Sequence, residues 1–151
     1  MTHHGPKDPP YAERTARSFA KQALMETIGA RILRIAPGEV DIELPVIAKL
    51  TQQHGFVHAG AVSAIGDTAC GYAALTLMPP SAGVLTVEFK INLLAPAAGE
   101  RLVAEGRVVK AGRTLTIAQA EVHAEASGAR KLVALLTATI MTLEGREGIS
   151  D

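Results

Sequence analysis

The fold is decided by the stretch Thr51-Gln-Gln-His-Gly-Phe-Val-His-Ala-Gly-Ala-Val-Ser-Ala-Ile-Gly-Asp-Thr-Ala-Cys-Gly-Tyr-Ala-Ala-Leu-Thr-Leu-Met78. From Gly60 onward nearly every residue is small or apolar, with no polar stripe running from end to end. A helix that is apolar on all sides is a buried helix. The sequence therefore predicts a central buried helix over 60–78, ended by Pro79 and Pro80.

Asp67 is the one carboxylate in the middle of this helix, and no Lys or Arg occurs between Lys49 and Lys90. A buried charge without a partner is costly. One interpretation is a structural Asp, hydrogen-bonded to a hydroxyl such as that of Ser63 or Thr68. The other, which we favour, is a desolvated carboxylate with a raised pKa that acts as base or nucleophile.

His58, Ala59 and Gly60 stand at the predicted start of the helix. A helix N-terminus has unpaired backbone N–H groups and a partial positive charge, which suits a polarised carbonyl or an oxyanion. Small residues there let a substrate approach the backbone. The alternative is a simple junction between a loop and a helix.

The spacing of His58 and Asp67 decides how they act together. Nine residues along one helix give about 13 Å of rise and place the two side chains on opposite faces. One chain therefore cannot bring them to one reacting group. If both belong to one site, two copies of the chain must form it across a two-fold axis.

The rest of the chain predicts an α+β fold, a long antiparallel sheet of five or six strands wrapped around the central helix. A short amphipathic helix is expected from Asp8 to Leu24, capped by Asp8 and followed by a hairpin turning at Pro37-Gly38. A bulge is expected at Gly106. Clean alternation puts Leu85, Val87, Phe89, Ile91 and Leu93 on one face of a strand. The predicted strands are 28–36, 39–44, 84–94, 101–110, 113–125 and 131–143.

Length and composition favour one domain, with residues 1–9 as a disordered lead-in, 10–145 as the domain and 146–151 as a tail. The formal net charge is zero and aromatic residues make up 3% of the chain, which argues against a nucleic-acid partner. The first residues contain no apolar segment of a signal peptide, and the Asp within the long apolar stretch argues against a membrane span. A single cysteine is typical of a reducing cytoplasm.

Three other groups invite a functional interpretation. His54 and His58 have the spacing of metal ligands, but Gly55 between them indicates a loop and Asp67 is out of their reach, so no metal site is expected. Cys70 fits a core residue better than a nucleophile. The basic turn from Lys110 to Arg113 is either solvated or a phosphate contact.

Together these residues resemble a known family. Gly55-x-x-His58-Ala59-Gly60 followed by Asp67-Thr68-Ala69 resembles the His-Gly-Gly…Asp motif of the hotdog-fold acyl-CoA thioesterases, in particular the phenylacetate-degradation thioesterase-like group. Thr86–Pro96 resembles the strand after the family's central helix, and Lys110–Arg113 resembles its basic turn. The similarity covers Ile28–Leu143.

The resemblance implies hydrolysis of a small aromatic or medium-chain acyl-CoA by a homodimer, or a tetramer built of two dimers, with no cofactor or metal. It implies that Asp67 is base or nucleophile, that the Ala59 N–H polarises the thioester carbonyl, and that His58 fixes the loop. Gln52 and Thr86 would assist, and Lys110 and Arg113 would bind coenzyme A.

Two residues depart from the family pattern. Ala59 stands in place of the first Gly of the pair, so its Cβ narrows the approach to the backbone. Gln52 stands where the family has Asn and is one methylene longer. Both changes bear on rate and substrate choice. A non-catalytic acyl-CoA binding module is the alternative function, and a hotdog dehydratase is disfavoured because no His occupies a hydratase-type position on the helix.

Overall fold

The computed structural model describes Gly5 and residues 9–149. Three α-helices, six strands and a single 3₁₀ turn at Ala48–Leu50 make up its regular structure. The elements are α1 Tyr11–Phe19, α2 Ala23–Ile28, β1 Arg31–Ala36, β2 Glu39–Pro45, α3 Ala59–Leu75, β3 Gly83–Leu93, β4 Arg101–Lys110, β5 Leu115–Ala126 and β6 Ala129–Leu143.

The six strands form one antiparallel sheet in the order β1-β2-β4-β5-β6-β3. Helix α3 lies across the concave face of this sheet and contacts five of its strands. Side chains from β2, β4, β5 and β6 make a core with α3, in which Ile42, Ile65, Leu102, Leu136 and Ile140 are fully buried. The predicted α+β architecture with four consecutive strands after the central helix is confirmed.

Helix α3 ends at Leu75, three residues before the predicted end. The buried side chain of Arg14 binds the carbonyl groups at this end. The guanidinium of Arg14 donates to the carbonyl oxygens of Leu75 at 2.8 Å, Met78 at 3.0 Å and Pro79 at 2.5 Å. A positive charge is favourable at a helix C-terminus. Arg14 thereby ties α1 to the end of α3.

The single helix predicted from Asp8 to Leu24 is wrong, because the chain forms two helices with a turn at 20–22. Asp8, the predicted cap, lies outside the described residues. The N–H groups of Lys21 and Gln22 bond three residues back, which tightens and ends α1. Helix α2 then buries Met25 and Ile28, whereas Leu24 is exposed.

The first predicted strand began too early, at Ile28. That residue belongs to α2, which ends at Gly29 in the left-handed conformation, and β1 begins at Arg31. The predicted turn at Pro37-Gly38 is confirmed. The domain limits at 10 and 145 stay predictions.

Gly106 is not the predicted bulge. The strand pairing runs without a break through Gly106, and the irregularity of β4 lies between Val108 and Lys110. A Cβ at Gly106 would stand 2.3 Å from the carbonyl oxygen of Ala69, so glycine is required where the backbone of α3 crosses β4. The glycine marks a helix contact rather than a change of register.

Strand β3 does contain a bulge, which overturns the predicted single apolar face. Pairing with β6 shifts between Thr86 and Glu88. Leu85 consequently faces outward, whereas Phe89 and Ile91 stand opposite buried residues of β6. Thr86 shares that inner face.

Helix α3 is buried on all sides only over its C-terminal half, 69–75. In its N-terminal half Gly60 is exposed, and Ser63, Ala64 and Asp67 are half-buried along one side. None of the helices in the described part of the chain has the length and apolar character needed to cross a membrane.

Two glycine substitutions test the contact between α3 and β4. We expect Gly106→Ala to lower the melting temperature, since overpacking costs about 1–3 kcal/mol or more. Gly71→Ala is the matched control, because a Cβ there meets no atom within 4 Å. It should leave stability unchanged or raise it by up to about 1 kcal/mol through helix propensity. Equal melting temperatures in circular dichroism for Gly106→Ala and the parent would contradict the close contact.

Candidate active site

The N-terminus of α3 is held by His58. As the N-cap residue, its Nδ1 accepts a hydrogen bond from the Gly60 N–H at 2.8 Å, and its own N–H donates to the carbonyl oxygen of Leu50 at 2.8 Å. A Cβ on Gly60 would lie 3.0 Å from that Nδ1. A side chain at position 60 would therefore crowd the imidazole, which would have to shift by a few tenths of an ångström to cap the helix.

The Ala59 N–H is the donor that this arrangement leaves for a ligand. Within residues 9–149 it has no hydrogen-bond acceptor, and Ala59 lines a cavity of about 520 Å³. The cavity is bounded by Gln52, Gln53, Phe56, Val57, His58, Ala59, Val62, Leu93, Leu94, Ala95, Pro96, Ala97 and Val133. Its lining is mainly apolar, with the helix terminus, Gln52 and Gln53 as polar groups.

Gln52 is half-buried in the loop before α3. Its backbone N–H donates to the carbonyl oxygen of Phe56 at 2.8 Å, and its side-chain Oε1 accepts the N–H of His54. The amide oxygen is thus used inside the loop. The side-chain NH₂ is the group that remains for a ligand in the cavity.

Asp67 is half-buried on a different side of α3 from Ala59. It has one hydrogen-bond partner within the described chain. The Thr86 hydroxyl of β3 donates to its Oδ1 at 2.7 Å. The hydroxyl of Ser63, considered from the sequence, bonds the carbonyl oxygen of Ala59 instead. Burial raises the pKa of the Asp67 carboxyl, and the hydrogen bond from Thr86 partly offsets this.

A second cavity, of about 240 Å³, contains Asp67. It is lined by Gln22, Asp67, Thr68, Gly71, Tyr72, Val84, Leu85 and Thr86. No residue lines both this cavity and the one at the helix N-terminus. Within one chain the structure therefore separates Ala59 from Asp67, as the spacing along the helix predicted.

Lys110 and Arg113 lie at the other end of α3. Both are exposed, and Arg113 lines a cavity with Leu77 and Glu144 beyond the helix C-terminus. The helix spans about 24 Å at 1.5 Å per residue. These two side chains therefore do not reach Ala59 of their own chain.

The remaining candidates are structural. Burial raises the pKa of the Cys70 thiol, and the nearby Asp67 carboxyl adds to the shift, so no thiolate nucleophile forms. The side chains of Glu105, Glu121 and His123 meet on the outer face of the sheet. The cation in contact with this cluster is the guanidinium of Arg130. Its Nη2 lies 2.7 Å from Glu105 Oε1 and 2.9 Å from His123 Nδ1.

The sequence did not single out Gln22 as a site residue. Its position follows from the turn between α1 and α2, which helical periodicity did not reveal. The ring of Tyr72 is buried. Its hydroxyl pairs with Gln22 and Ser18.

The family model described as "Thioesterase superfamily" matches residues 54–129, from the loop before α3 through β5. The chain belongs to the thioesterase superfamily. Its architecture, a six-stranded antiparallel sheet around one central helix, is the hotdog thioesterase fold, as the resemblance implied. It is accordingly an enzyme of thioester hydrolysis.

Solved structures and curated relatives extend this assignment. A thioesterase family protein from Silicibacter pomeroyi is 52% identical with a TM-score of 0.88, covering 89% of this chain and 99% of that one. Human acyl-coenzyme A thioesterase 13 is 31% identical over 68% of this chain and 72% of its own. The PaaI protein of the E. coli phenylacetic acid degradation operon shares the fold, at 21% identity and a TM-score of 0.80, over 89% of this thioesterase and 94% of its own chain.

The hydrogen bond between Thr86 and Asp67 predicts a change in the pH dependence of this thioesterase. Thr86→Val removes a donor that favours the charged carboxylate, so the pKa of Asp67 should rise further. If the charged Asp67 carboxylate is the reactive form, as predicted from the sequence, the pH of half-maximal kcat/KM should also rise. The measurement is kcat/KM for a thioester substrate as a function of pH.

Thr139→Val is the matched control for this experiment. Thr139 also donates to a carboxylate, Glu88 Oε1 at 2.9 Å, but on the outer face of the same pair of strands. It should leave the pH profile where it is. An unchanged profile in folded Thr86→Val would show that the hydrogen bond does not tune the reactive group.

Proposed function

We propose that this thioesterase hydrolyses a small aromatic or medium-chain acyl-CoA to the free acid and coenzyme A, and that it belongs to the phenylacetate-degradation thioesterase-like group. The observation that carries the proposal is a half-buried carboxylate of raised pKa, Asp67, hydrogen-bonded to Thr86 and exposed to a cavity. The acyl-CoA substrate is supported by the similarity to human acyl-coenzyme A thioesterase 13.

The proposed reaction begins with the thioester carbonyl at the Ala59 N–H. That donor, at the positive end of α3, stabilises the charge that develops on the carbonyl oxygen. Asp67 takes a proton from a water molecule while the oxygen of that water attacks the carbonyl carbon. The carbon–sulfur bond then breaks, the thiolate takes up a proton, and the acid is released.

A covalent route uses the same groups. The Asp67 carboxylate attacks the carbonyl carbon, the coenzyme A thiolate leaves, and water hydrolyses the resulting anhydride. In both routes the carboxylate must be charged and in contact with the substrate. Gln52 and His58 support the polarising end, His58 by capping the helix and Gln52 by its free amide NH₂.

We propose further that each site is formed by two chains. Asp67 and Ala59 open into separate cavities of one chain, so a partner must supply the missing half. The edge of the sheet at β3 supports a second copy as that partner. Strand β3 is eleven residues long and exposes Leu85, Val87 and Phe89.

Such a pairing also gives the basic turn a role. Lys110 and Arg113 lie too far from the helix N-terminus of their own chain to assist there. We propose that they meet the phosphates of coenzyme A bound at a site built with another chain, in a dimer or a tetramer of two dimers.

Asp67→Asn should keep the fold and lower the hydrolysis of acyl-CoA by about 100-fold or more. Thiol release from a panel of acyl-CoA esters is the measurement. Asp41→Asn, the same change on the outer face of β2, should keep activity. Folded Asp67→Asn with full activity would make the carboxylate structural, and a wild type that binds acyl-CoA without turnover would favour the binding module.

The shared site predicts that two inactive chains restore each other. Asp67→Asn removes the carboxylate, and Ala59→Trp blocks the helix N-terminus. A mixed dimer has one site with both halves intact and one with both defective. Co-expression in equal amounts should therefore return about a quarter of wild-type activity per site.

The mixed dimers must be verified by mass spectrometry. Activity near zero in a preparation that contains them would show that each chain carries a complete site. Each variant expressed alone serves as the baseline, and both should be inactive.

A further inference from the structure

The turn between α1 and α2 forms one wall of the cavity that contains Asp67. Gln22, the last residue of that turn, is half-buried and lines the cavity with Asp67, Tyr72 and Thr86. Gln22 and Asp67 thus bound the same space of about 240 Å³. A group that enters beside the carboxylate meets the Gln22 side chain.

The side chain of Gln22 is directed to α3 rather than to its own helix. Although Gln22 is the N-cap residue of α2, its side chain makes no capping hydrogen bond. Its Nε2 instead donates to the Tyr72 hydroxyl at 3.1 Å, and that hydroxyl lies 3.1 Å from Ser18 Oγ. The Gln22 amide is therefore held against Tyr72 of α3 and forms part of the cavity wall.

The wall is fixed to the body of the protein at both ends of α1. Near its start, Arg14 is bonded to the carbonyl oxygens at the C-terminus of α3. At its end, the rings of Phe19 and Tyr72 pack with centroids 5.9 Å apart. These contacts leave Gln22 little freedom to withdraw when a ligand enters.

Charge and size decide which part of an acyl-CoA fits this cavity. Among the described residues that line the cavity, Asp67 is the only charged one, and a carboxylate repels the phosphates of coenzyme A. The volume is below the ~300–1,000 Å³ typical of pockets for drug-sized ligands. A compact acyl group meets both conditions, whereas the long pantetheine arm and its nucleotide do not.

We propose that Gln22 sets the upper size limit of the acyl group. The proposal rests on the function proposed above and makes it more specific. With the thioester carbonyl beside Asp67, the acyl group extends toward Gln22 and Tyr72. Short chains and single rings fit before this wall, and longer chains collide with it.

The test is kcat/KM for a series of acyl-CoA esters, from butanoyl through hexanoyl and octanoyl to decanoyl, together with phenylacetyl. Gln22→Ala shortens the wall. The preference for decanoyl over butanoyl should rise about tenfold or more relative to wild type, the discrimination that a few methylenes in a pocket provide. Melting temperatures verify that the variants are folded.

Two controls separate the wall from general effects. Gln22→Met keeps the length of the side chain and should keep the wild-type preference. Gln119→Ala makes the alanine change on the outer face of the sheet, where Gln119 is exposed, and should also keep it.

The outcomes are distinct. An unchanged chain-length preference in folded, active Gln22→Ala overturns this inference and leaves the proposed function intact. A shift of equal size in Gln22→Met overturns the steric account. A wild type with no turnover of any ester in the series, and no rise in melting temperature with acyl-CoA, overturns the proposed function and this inference with it.

Discussion

The contact between the backbones of α3 and β4 sets how deeply the helix that carries Asp67 lies against the sheet. Gly106 lets the carbonyl of Ala69 approach the strand more closely than any side chain would allow. This seats the helix deep in the concave sheet and sets how far Asp67, two residues earlier, stands from β3. Thr86 reaches the carboxylate only because the helix lies at that depth. A small-residue contact thus fixes the geometry of a polar pair on the neighbouring face.

The positions of the N-terminal helices α1 and α2 depend on the same placement of α3 against the sheet. Arg14 is almost fully buried, and its charge is accepted because the carbonyl groups at the end of α3 provide oxygens for it. The sequence has no Lys or Arg close to Asp67. The cation that the structure brings to the helix is Arg14, and it lies at the C-terminus of α3. The long helix is therefore anchored at its C-terminus by α1 and capped at its N-terminus by His58. Its carboxylate lies between two fixed ends.

Residue pattern alone predicted the central helix, the four strands that follow it in the chain, the turn at Gly38 and the separation of His58 from Asp67. These features follow from local periodicity and from the rise of a helix. The errors have a different cause. The bulge at Val87, the role of Gly106 and the break at 20–22 depend on contacts with distant segments. Gln22 was missed for the same reason, since its partner Tyr72 is 50 residues away. The family resemblance implied that Thr86 assists at the site, but the hydrogen bond from Thr86 to Asp67 was not predicted.

The bulge in β3 has a consequence for how chains add to this sheet. The two edges of the sheet differ, because β1 is short and carries Arg31 and Arg34, whereas β3 is long and exposes Leu85, Val87, Phe89 and Leu93. A regular apolar edge of that length is a template for open-ended strand addition, the first step toward fibres. The extra residue between Thr86 and Glu88 interrupts the repeat of backbone N–H and C=O groups along this edge. The irregularity that turns a threonine toward a carboxylate thereby also interrupts open-ended strand addition at the edge where a second copy is proposed to dock.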